Sequence, residues 1–371
     1  MRIAFYAPIK GPDHPVPSGD RAMARLLMAA LRAGGHEVGL VSDLRSFTAT
    51  SDPVRQAATE ASAQRERETI AARWSRDGAP DLWFTYHPFY KAPDFLGPDL
   101  VRRFDLAYVT AEASHAPKRA AGPWSRWHGA NEAALQMADV HFCLTPDDRD
   151  GLAGLDGAAR LVDLPPFIDA EPFGHVRTRG PAGDVDLICV AMMRPGDKLM
   201  SYAILAEALH RLPGTLPWRL TVIGDGPAVP DVRALFANLP RERLVWRGEI
   251  SGAGIVAALA RADLYVWPGI NEAFGMAYLE AGAAGLPTLA MRCGGIPSVV
   301  RDGETGCLTP AGDVRAYAGA LARLIANRTE RLRLGAAARR FVTGERTVAA
   351  AAAILSRHLA GIVDRPAWRR A

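Results

Sequence analysis

The stretch NEAFGMAYLEAGAAGLPTLA, Asn271 to Ala290, sets two carboxylates, Glu272 and Glu280, in a run otherwise rich in Ala, Gly and Leu, with seven residues between them. The apolar segment LYVWP just before it reads as a strand ending near Pro268. A Gly-bearing loop follows, a helix begins near Gly275 or Met276, and PTLAM reads as the next strand. A strand–loop–helix–strand unit of this kind belongs to a parallel sheet, because the helix carries the chain back to start the next strand in the same direction. The first turn of such a helix leaves N–H groups without intrahelical partners, and the positive end of its dipole faces the loop. An anionic phosphate fits there. Glu272, in the loop, can accept hydrogen bonds from sugar hydroxyls. Glu280, about one turn inside the helix, can accept from two adjacent hydroxyls such as those of a ribose. An N-terminal helix charge and a solvated helix residue are the competing readings of the same two acids.

Working outward, β-type apolar runs alternate with helix-period segments along the whole chain. RIAFYAP, HEVGLVS, DLWFTYH, DLAYVT and HFCLT read as strands, and DRAMARLLMAALRAG, ERETIAARWSRDG and ANEAALQMADV as helices among them. The Pro- and Gly-rich run that begins at Leu164 lacks periodicity and marks a linker. The alternation then restarts with VDLICVAMM, MSYAILAEALHRL, WRLTVIGDG, LVWRGEI and GAGIVAALARA, and after LYVWP and PTLAM it closes with DVRAYAGALARLIAN. The expected organisation is an N-terminal Rossmann-like half over residues 1–165, a linker over 166–184 and a second Rossmann-like half over 185–346. The Ala-rich TVAAAAAILSRHLAGIV opens a last helix, expected over about residues 347–371 and crossing back to the first half.

Composition agrees with that size class. The chain has 371 residues, 49% hydrophobic, enough for two ordinary domains. Forty-four basic residues stand against 40 acidic ones, a net charge of +4 that permits an anionic ligand or membrane surface without calling for nucleic acid. Cys143, Cys189, Cys293 and Cys307 form no CxxC pair and read as free thiols of a reducing compartment. The opening MRIAFYAPIK stops at Pro8, too short for a signal sequence, and no apolar run reaches the roughly 18 residues of a membrane span.

The segment from Glu272 onward resembles the nucleotide-sugar site of retaining GT-B glycosyltransferases, in particular glycosyltransferase family 4. The likeness rests on Glu272, Phe274-Gly275, Glu280, Gly285-Leu286-Pro287, Gly294-Gly295 and Asp302-Gly303 with Gly306, in that order. The resemblance implies two Rossmann-like domains facing across a cleft and a sugar moved from a nucleotide diphosphate to an acceptor hydroxyl with its anomeric configuration retained. It also implies that Arg194 and Lys198 of VAMMRPGDK reach the donor diphosphate, where cations stabilise charge as the glycosidic bond breaks. Leu199 stands where the family often has Gly. The backbone of Ala273, Phe274, Gly275, Met276 and Ala277 would meet the phosphates, Glu272 the sugar and Glu280 the ribose. Gly224 in VIGDGP would let the ligand approach, and Arg247-Gly248 would meet the nucleobase. The same VIGDGP holds only part of a GxGxxG fingerprint, which disfavours a nicotinamide-dependent dehydrogenase.

In the N-terminal half, PVPSGDRAMARLLMAALRAGGHEV is similar to the family's opening loop and helix, with Ser18-Gly19 in place of Gly-Gly. Gly19 could bring backbone N–H groups near a phosphate, and Ser18 reads equally as a helix N-cap. After DLAYVT the family typically places a His facing the donor sugar. Here that position is Glu112, with His115 three residues on and His87 ending the earlier strand, so any of the three is a candidate to face the cleft. No metal ligand set is expected: the DxD of GDVDL leads straight from linker into strand, and the Arg–Lys clamp would replace a divalent ion. PWSRWHG and DRPAWRRA mix Trp with Arg, the composition of a peripheral membrane anchor, against a solvated surface as the competing reading. The implied co-substrate is a UDP- or GDP-linked sugar with no other cofactor. The implied acceptor is a saccharide, a lipid-linked saccharide or a small molecule, and the implied location is the cytoplasm or the inner face of the membrane. A sugar-nucleotide hydrolase or epimerase of the same fold and a non-catalytic sugar-nucleotide or glycan-binding protein are the rival readings.

Overall fold

The computed structural model describes residues 1–155, 157, 159–174 and 183–362. Residues 175–182 of the expected linker and 363–371, which include the whole Trp/Arg segment DRPAWRRA, lie outside the described residues. The chain divides into two compact units, Met1–Pro165 with Val348–Ala371, and Pro166–Thr347.

In the first unit, strands and helices alternate as β1 (Arg2–Tyr6), α1 (Gly19–Ala33), β2 (Glu37–Leu40), α2 (Pro53–Asp77), β3 (Leu82–Tyr86), α3 (Gly97–Phe104), β4 (Ala107–Ala111), α4 (Ser125–Gln136), β5 (Val140–Cys143), α5 (Pro146–Ala153) and β6 (Arg160–Asp163). The second unit continues with β7 (Val185–Val190), α6 (Asp197–His210), β8 (Trp218–Ile223), α7 (Val229–Leu235), β9 (Leu244–Trp246), α8 (Ala253–Leu259), β10 (Leu264–Val266), α9 (Met276–Ala283), β11 (Thr288–Met291), β12 (Gly306–Thr309), α10 (Val314–Ala326) and α11 (Arg328–Glu345). The last helix, α12 (Val348–Leu359), returns to the first unit and packs on α1.

Each unit holds one six-stranded sheet, ordered β2-β1-β3-β4-β5-β6 and β12-β11-β10-β7-β8-β9, with every pairing parallel. The expected α/β class of two doubly wound parallel sheets is the one observed. Central strands are covered by helices on both faces, so β3 and β4 are buried at every residue and read as continuous apolar runs. Two polar groups are accommodated in that core. Asp94 accepts from Trp83 Nε1 at 2.9 Å, from Tyr108 Oη at 3.0 Å and from the Gly97 amide at 2.7 Å. Thr110 Oγ1 lies 2.6 Å from His141 Nδ1.

The two orders decide where ligands can bind. In an open parallel sheet the loops at the carboxyl ends diverge where the order reverses, and they leave a crevice there. The reversal falls between β1 and β3 in the first unit and between β7 and β10 in the second.

Candidate functional site

The reversal in the second unit juxtaposes two loops that lie about seventy residues apart in sequence, one after β7 and one after β10. The β7 loop carries Arg194, which is exposed, and leads through Gly196 into α6, whose first turn holds Lys198. The β10 loop carries Glu272. Lys198 Nζ forms an ion pair with Glu272 Oε1, and the Trp267 indole donates to the same oxygen at 2.9 Å. The Lys198 ammonium also lies 5.7 Å from the centroid of the Trp267 ring. Two residues expected to make separate ligand contacts are therefore one ion pair, held against an aromatic wall.

The loop is tied down on both sides. Asn271 Nδ2 donates to Asp197 Oδ1 at 3.0 Å and the Ile270 amide to Ser201 Oγ at 3.0 Å, which fastens it to the first turns of α6. On the other side the Gly295 amide donates to the Glu272 carbonyl at 3.2 Å. Gly275 has φ 75°, and a Cβ there would lie 2.6 Å from the Tyr278 ring. Glycine thus turns the chain into α9 over Tyr278, whose hydroxyl donates to the Trp267 carbonyl at 3.1 Å. No side chain caps the N-terminus of α9, so its leading amides, near Met276 and Ala277, face the loop that carries Glu272. Glu280 is half-buried, and burial alone raises its carboxyl pKa. It has neither a hydrogen bond nor an ion pair among the described residues. Such a carboxylate is suited to accept from paired hydroxyls.

In the first unit the reversal gathers Asp20, His87 and Glu112. Each strand hands over to its loop through a residue in the left-handed region: His87 at φ 59° after β3 and Glu112 at φ 53° after β4. Both still extend the sheet, the His87 amide donating to the Ala111 carbonyl at 2.8 Å and the Glu112 amide to Phe142 at 2.9 Å. A non-glycine φ of this kind costs on the order of 1 kcal/mol and gathers at functional sites. The strained turns aim both side chains at one spot. His87 Nδ1 lies 3.1 Å from Asp20 Oδ1, in the first turn of α1, and 3.8 Å from Glu112 Oε1, while Tyr86 Oη donates to Glu112 Oε2 at 2.9 Å.

The electrostatics of this group follow from burial and proximity. Burial pushes the Glu112 carboxyl up to about 7, against the pull of His87. Burial acts to lower His87, yet Glu112 and Asp20 together push it up to about 9. Asp20 is lowered, its contact with His87 outweighing desolvation. For His87 the folded value lies above the ordinary 6.5, so its stabilising contribution is whole below that pH and is lost as pH rises through about 9. Glu112 likewise holds its proton more firmly when folded, so its contribution falls as pH rises from its ordinary 4.5 through about 7. Urea unfolding at pH 7 and 9.5 should therefore show a loss on the order of 1 kcal/mol that His87→Asn abolishes. An equal loss in the variant would detach that dependence from His87.

Of the three residues expected to compete for the sugar-facing position, the structure brings two together and sets the third apart. His115 Nε2 lies 3.3 Å from Glu132 on α4, and its ring packs on His128. Other expectations are corrected. Trp124 and Trp127 of PWSRWHG are buried, Trp124 edge-on to Tyr90 and Trp127 donating to Glu60 at 2.7 Å, so the two indoles belong to the core and offer no anchor, while Pro123, Ser125, Arg126 and Gly129 are exposed as the solvated-surface reading expects. The DxD carboxylates Asp184 and Asp186 lie within 4.0 Å of Arg219. Ser18 is the N-cap of α1, accepting from the Arg21 amide at 3.2 Å, and the space beside Gly19 is open. At Gly224 the space a side chain would take is filled by the Ala191 carbonyl, so the protein's own backbone makes the close approach there. Arg247 and Gly248 are exposed after β9, and the Gly248 carbonyl accepts from the Gly224 amide at 2.8 Å.

Sequence reasoning missed Trp267, Asn271, Asp197 and Ser201 in the second unit and, in the first, Asp20, Tyr86 and Asp148, whose negative charge adds to the raised values of His87 and Glu112. Asp20 adjoins Gly19 and Tyr86 adjoins His87, so adjacency to a candidate was the available signal. Ser201 and Asp148 carried none. All four cysteines are free thiols, and burial raises Cys189 most, with Cys143 pushed up to about 12.

Comparison with known proteins shows the family and the fold. Residues 184–327 match the family model described as glycosyl transferases group 1. A GDP-mannose-dependent alpha-(1-6)-phosphatidylinositol monomannoside mannosyltransferase of Mycolicibacterium smegmatis is 30% identical over 294 residues, covering 73% of this chain and 75% of that protein. The sulfoquinovosyl transferase of Arabidopsis thaliana is 36% identical over 142 residues, which is 38% of this chain and only 27% of the plant protein. Among solved structures, sucrose-phosphate synthase from Thermosynechococcus elongatus superposes with a TM-score of 0.74 at 20% identity, covering 96% of this chain and 98% of that one. HepE of Anabaena in complex with UDP-glucose gives 0.68 at 17% identity over 97% and 99% of the two chains. These likenesses to solved structures show the fold. No described helix is long and apolar enough to cross a membrane.

Proposed function

The chain belongs to the group 1 glycosyl transferases and has the GT-B fold, and from that premise we propose that it moves a sugar from a nucleoside diphosphate to an acceptor hydroxyl with its anomeric configuration retained. The observation that carries the proposal is the constellation at the reversal of the second sheet: Lys198 paired with Glu272 on Trp267, an uncapped α9 N-terminus, and Glu280 without a partner. In this reading the diphosphate settles on the α9 amides and draws Lys198 and Arg194 to it, which frees Glu272 to accept from hydroxyls of the sugar. Charge that develops on the departing diphosphate is met by groups already in place. The acceptor hydroxyl attacks the face the leaving group vacates, and a diphosphate oxygen takes its proton. The family's GDP-mannose-dependent relative and the UDP-glucose bound by HepE support GDP or UDP as the nucleotide, and the phosphatidylinositol-linked acceptor of that relative supports a lipid-linked saccharide.

The test is thermal stabilisation by a panel of UDP-, GDP- and ADP-sugars, followed by NMR of the product. An α-linked donor should give an α-linked product. Consumption of donor without transfer would favour a sugar-nucleotide hydrolase, and stabilisation without turnover a binding protein. Glu280→Gln should weaken nucleoside diphosphate binding about tenfold with little change in kcat, since it removes an interaction made equally in ground and transition states. Calorimetry with the 2′-deoxy nucleotide checks the assignment: if the variant loses affinity equally for both nucleotides, Glu280 does not hold the ribose.

A further inference from the structure

We propose that His115, His128 and Glu132 in the first unit form a site for a divalent transition-metal ion, best suited to zinc, which fastens the segment after β4 to α4. His128 and Glu132 are one helical turn apart and share a face of α4. His115 comes from the segment that begins at Glu112, and Asn131 Nδ2 clamps that segment to the helix by donating to the Ser114 carbonyl at 3.1 Å. His115 Nε2 lies 3.3 Å from Glu132 Oε1, and His128 Nδ1 lies 3.8 Å from Glu132 Oε2. One ligand atom from each of the three side chains lies within 4.8 Å of the others. Ligands at about 2.0–2.1 Å around a tetrahedral ion stand roughly 3.3–3.4 Å apart, so the three atoms would close by at most about 1.5 Å around an ion.

The independent observation is in the imidazoles. The side chains of His115 and His128 are 7% and 3% exposed, and the Nε2 atom of each is buried without a hydrogen-bond partner. An unsatisfied buried polar atom is costly, because it has given up water for no partner. Coordination removes that cost at His115, where Nε2 faces the Glu132 carboxylate. Glu132 keeps 37% of its side chain exposed, which leaves a way in for the ion and room for water as a fourth ligand. Two imidazoles and one carboxylate suit zinc better than magnesium or calcium, which take oxygen ligands. This site is separate from the donor constellation and implies no metal at the diphosphate.

The untagged full chain, stripped with chelator, would be titrated with Zn²⁺ against a chromophoric competitor and separately with Co²⁺. Stoichiometric binding tighter than about 1 μM is expected, with the intense visible Co²⁺ bands of a low-coordinate site and no thiolate charge transfer. Glu132→Gln, at a half-exposed position that leaves folding intact by circular dichroism, should weaken binding at least tenfold, and His115→Ala about 100-fold or more. Weaker binding by the wild type, a cobalt–thiolate band, or affinity unchanged in both variants would overturn the assignment.

Discussion

Lys198→Ala should lower turnover by about 10²–10³-fold, the usual loss when one preorganised donor to a developing oxyanion is removed. Two features of the structure set that size. The first turn of α6 and the Trp267 ring hold the ammonium beside the loop, so once bound diphosphate has drawn it off Glu272, little reorganisation remains as the bond breaks. It is also three-quarters buried, where a charge acts more strongly than in water. Arg194 is exposed, and Arg194→Ala should cost less, yet still more than tenfold in kcat. Because Lys198 and Glu272 share an ion pair, the double variant Lys198→Ala/Glu272→Gln should be less impaired than the product of the two single losses. Release of nucleoside diphosphate at saturating donor measures the wild type, the three single variants and the double variant. Turnover within tenfold of wild type in both single cation variants would end the clamp assignment.

How much of this was legible depends on which physical signal each part carries. Buried parallel strands announce themselves as apolar runs, so β3, β4, β7 and β8 were plain. The edge strands β6 and β12 were not: Val162 is the one buried residue of β6, and β12 opens on a glycine. ERETIAARWSRDG proved to be the second half of α2; its first half, Pro53 to Arg65, shows no apolar stripe and owes its start to Pro53 and to Asp52, which accepts from the Val54 amide at 2.9 Å. The candidate donor residues were visible because the chain writes Glu272, Gly275 and Glu280 within ten residues. That Lys198 touches Glu272 was not, since the contact is made by sheet order: β10 lies beside β7, and no local pattern states which strands are neighbours. The pairing of His87 with Asp20 and Glu112 has the same origin. Three residues on three loops meet because β1, β3 and β4 are adjacent. The Trp/Arg motif misled for a simpler reason: an indole buries its ring and still satisfies its N–H through one partner, as Trp127 does with Glu60.

Gly224→Ala should destabilise the second unit by about 3 kcal/mol or more, among the largest effects a single methyl can have. The backbone there sits at φ 148°, a region L residues rarely adopt, and a Cβ would lie 1.9 Å from the Ala191 carbonyl oxygen. That oxygen cannot step aside freely. It accepts from Tyr202 Oη at 2.8 Å, and the Ala191 amide is itself bonded to the Ile223 carbonyl at 3.0 Å. Relief would have to part the ends of β7 and β8 and carry the Arg194 loop with them, so stability and activity should fall together. Gly19→Ala is the matched control: nothing lies within 4 Å of the added methyl, and the residue opens a helix in which Ala is the better former. Its unfolding midpoint should hold or rise slightly, and any loss of transfer in that variant would report a ligand close to Gly19. Chemical denaturation of both proteins, with nucleotide affinity measured alongside, separates the two roles. A Gly224→Ala protein of normal stability that bound nucleotide weakly would mean the glycine serves the ligand and not the junction of β7 with β8.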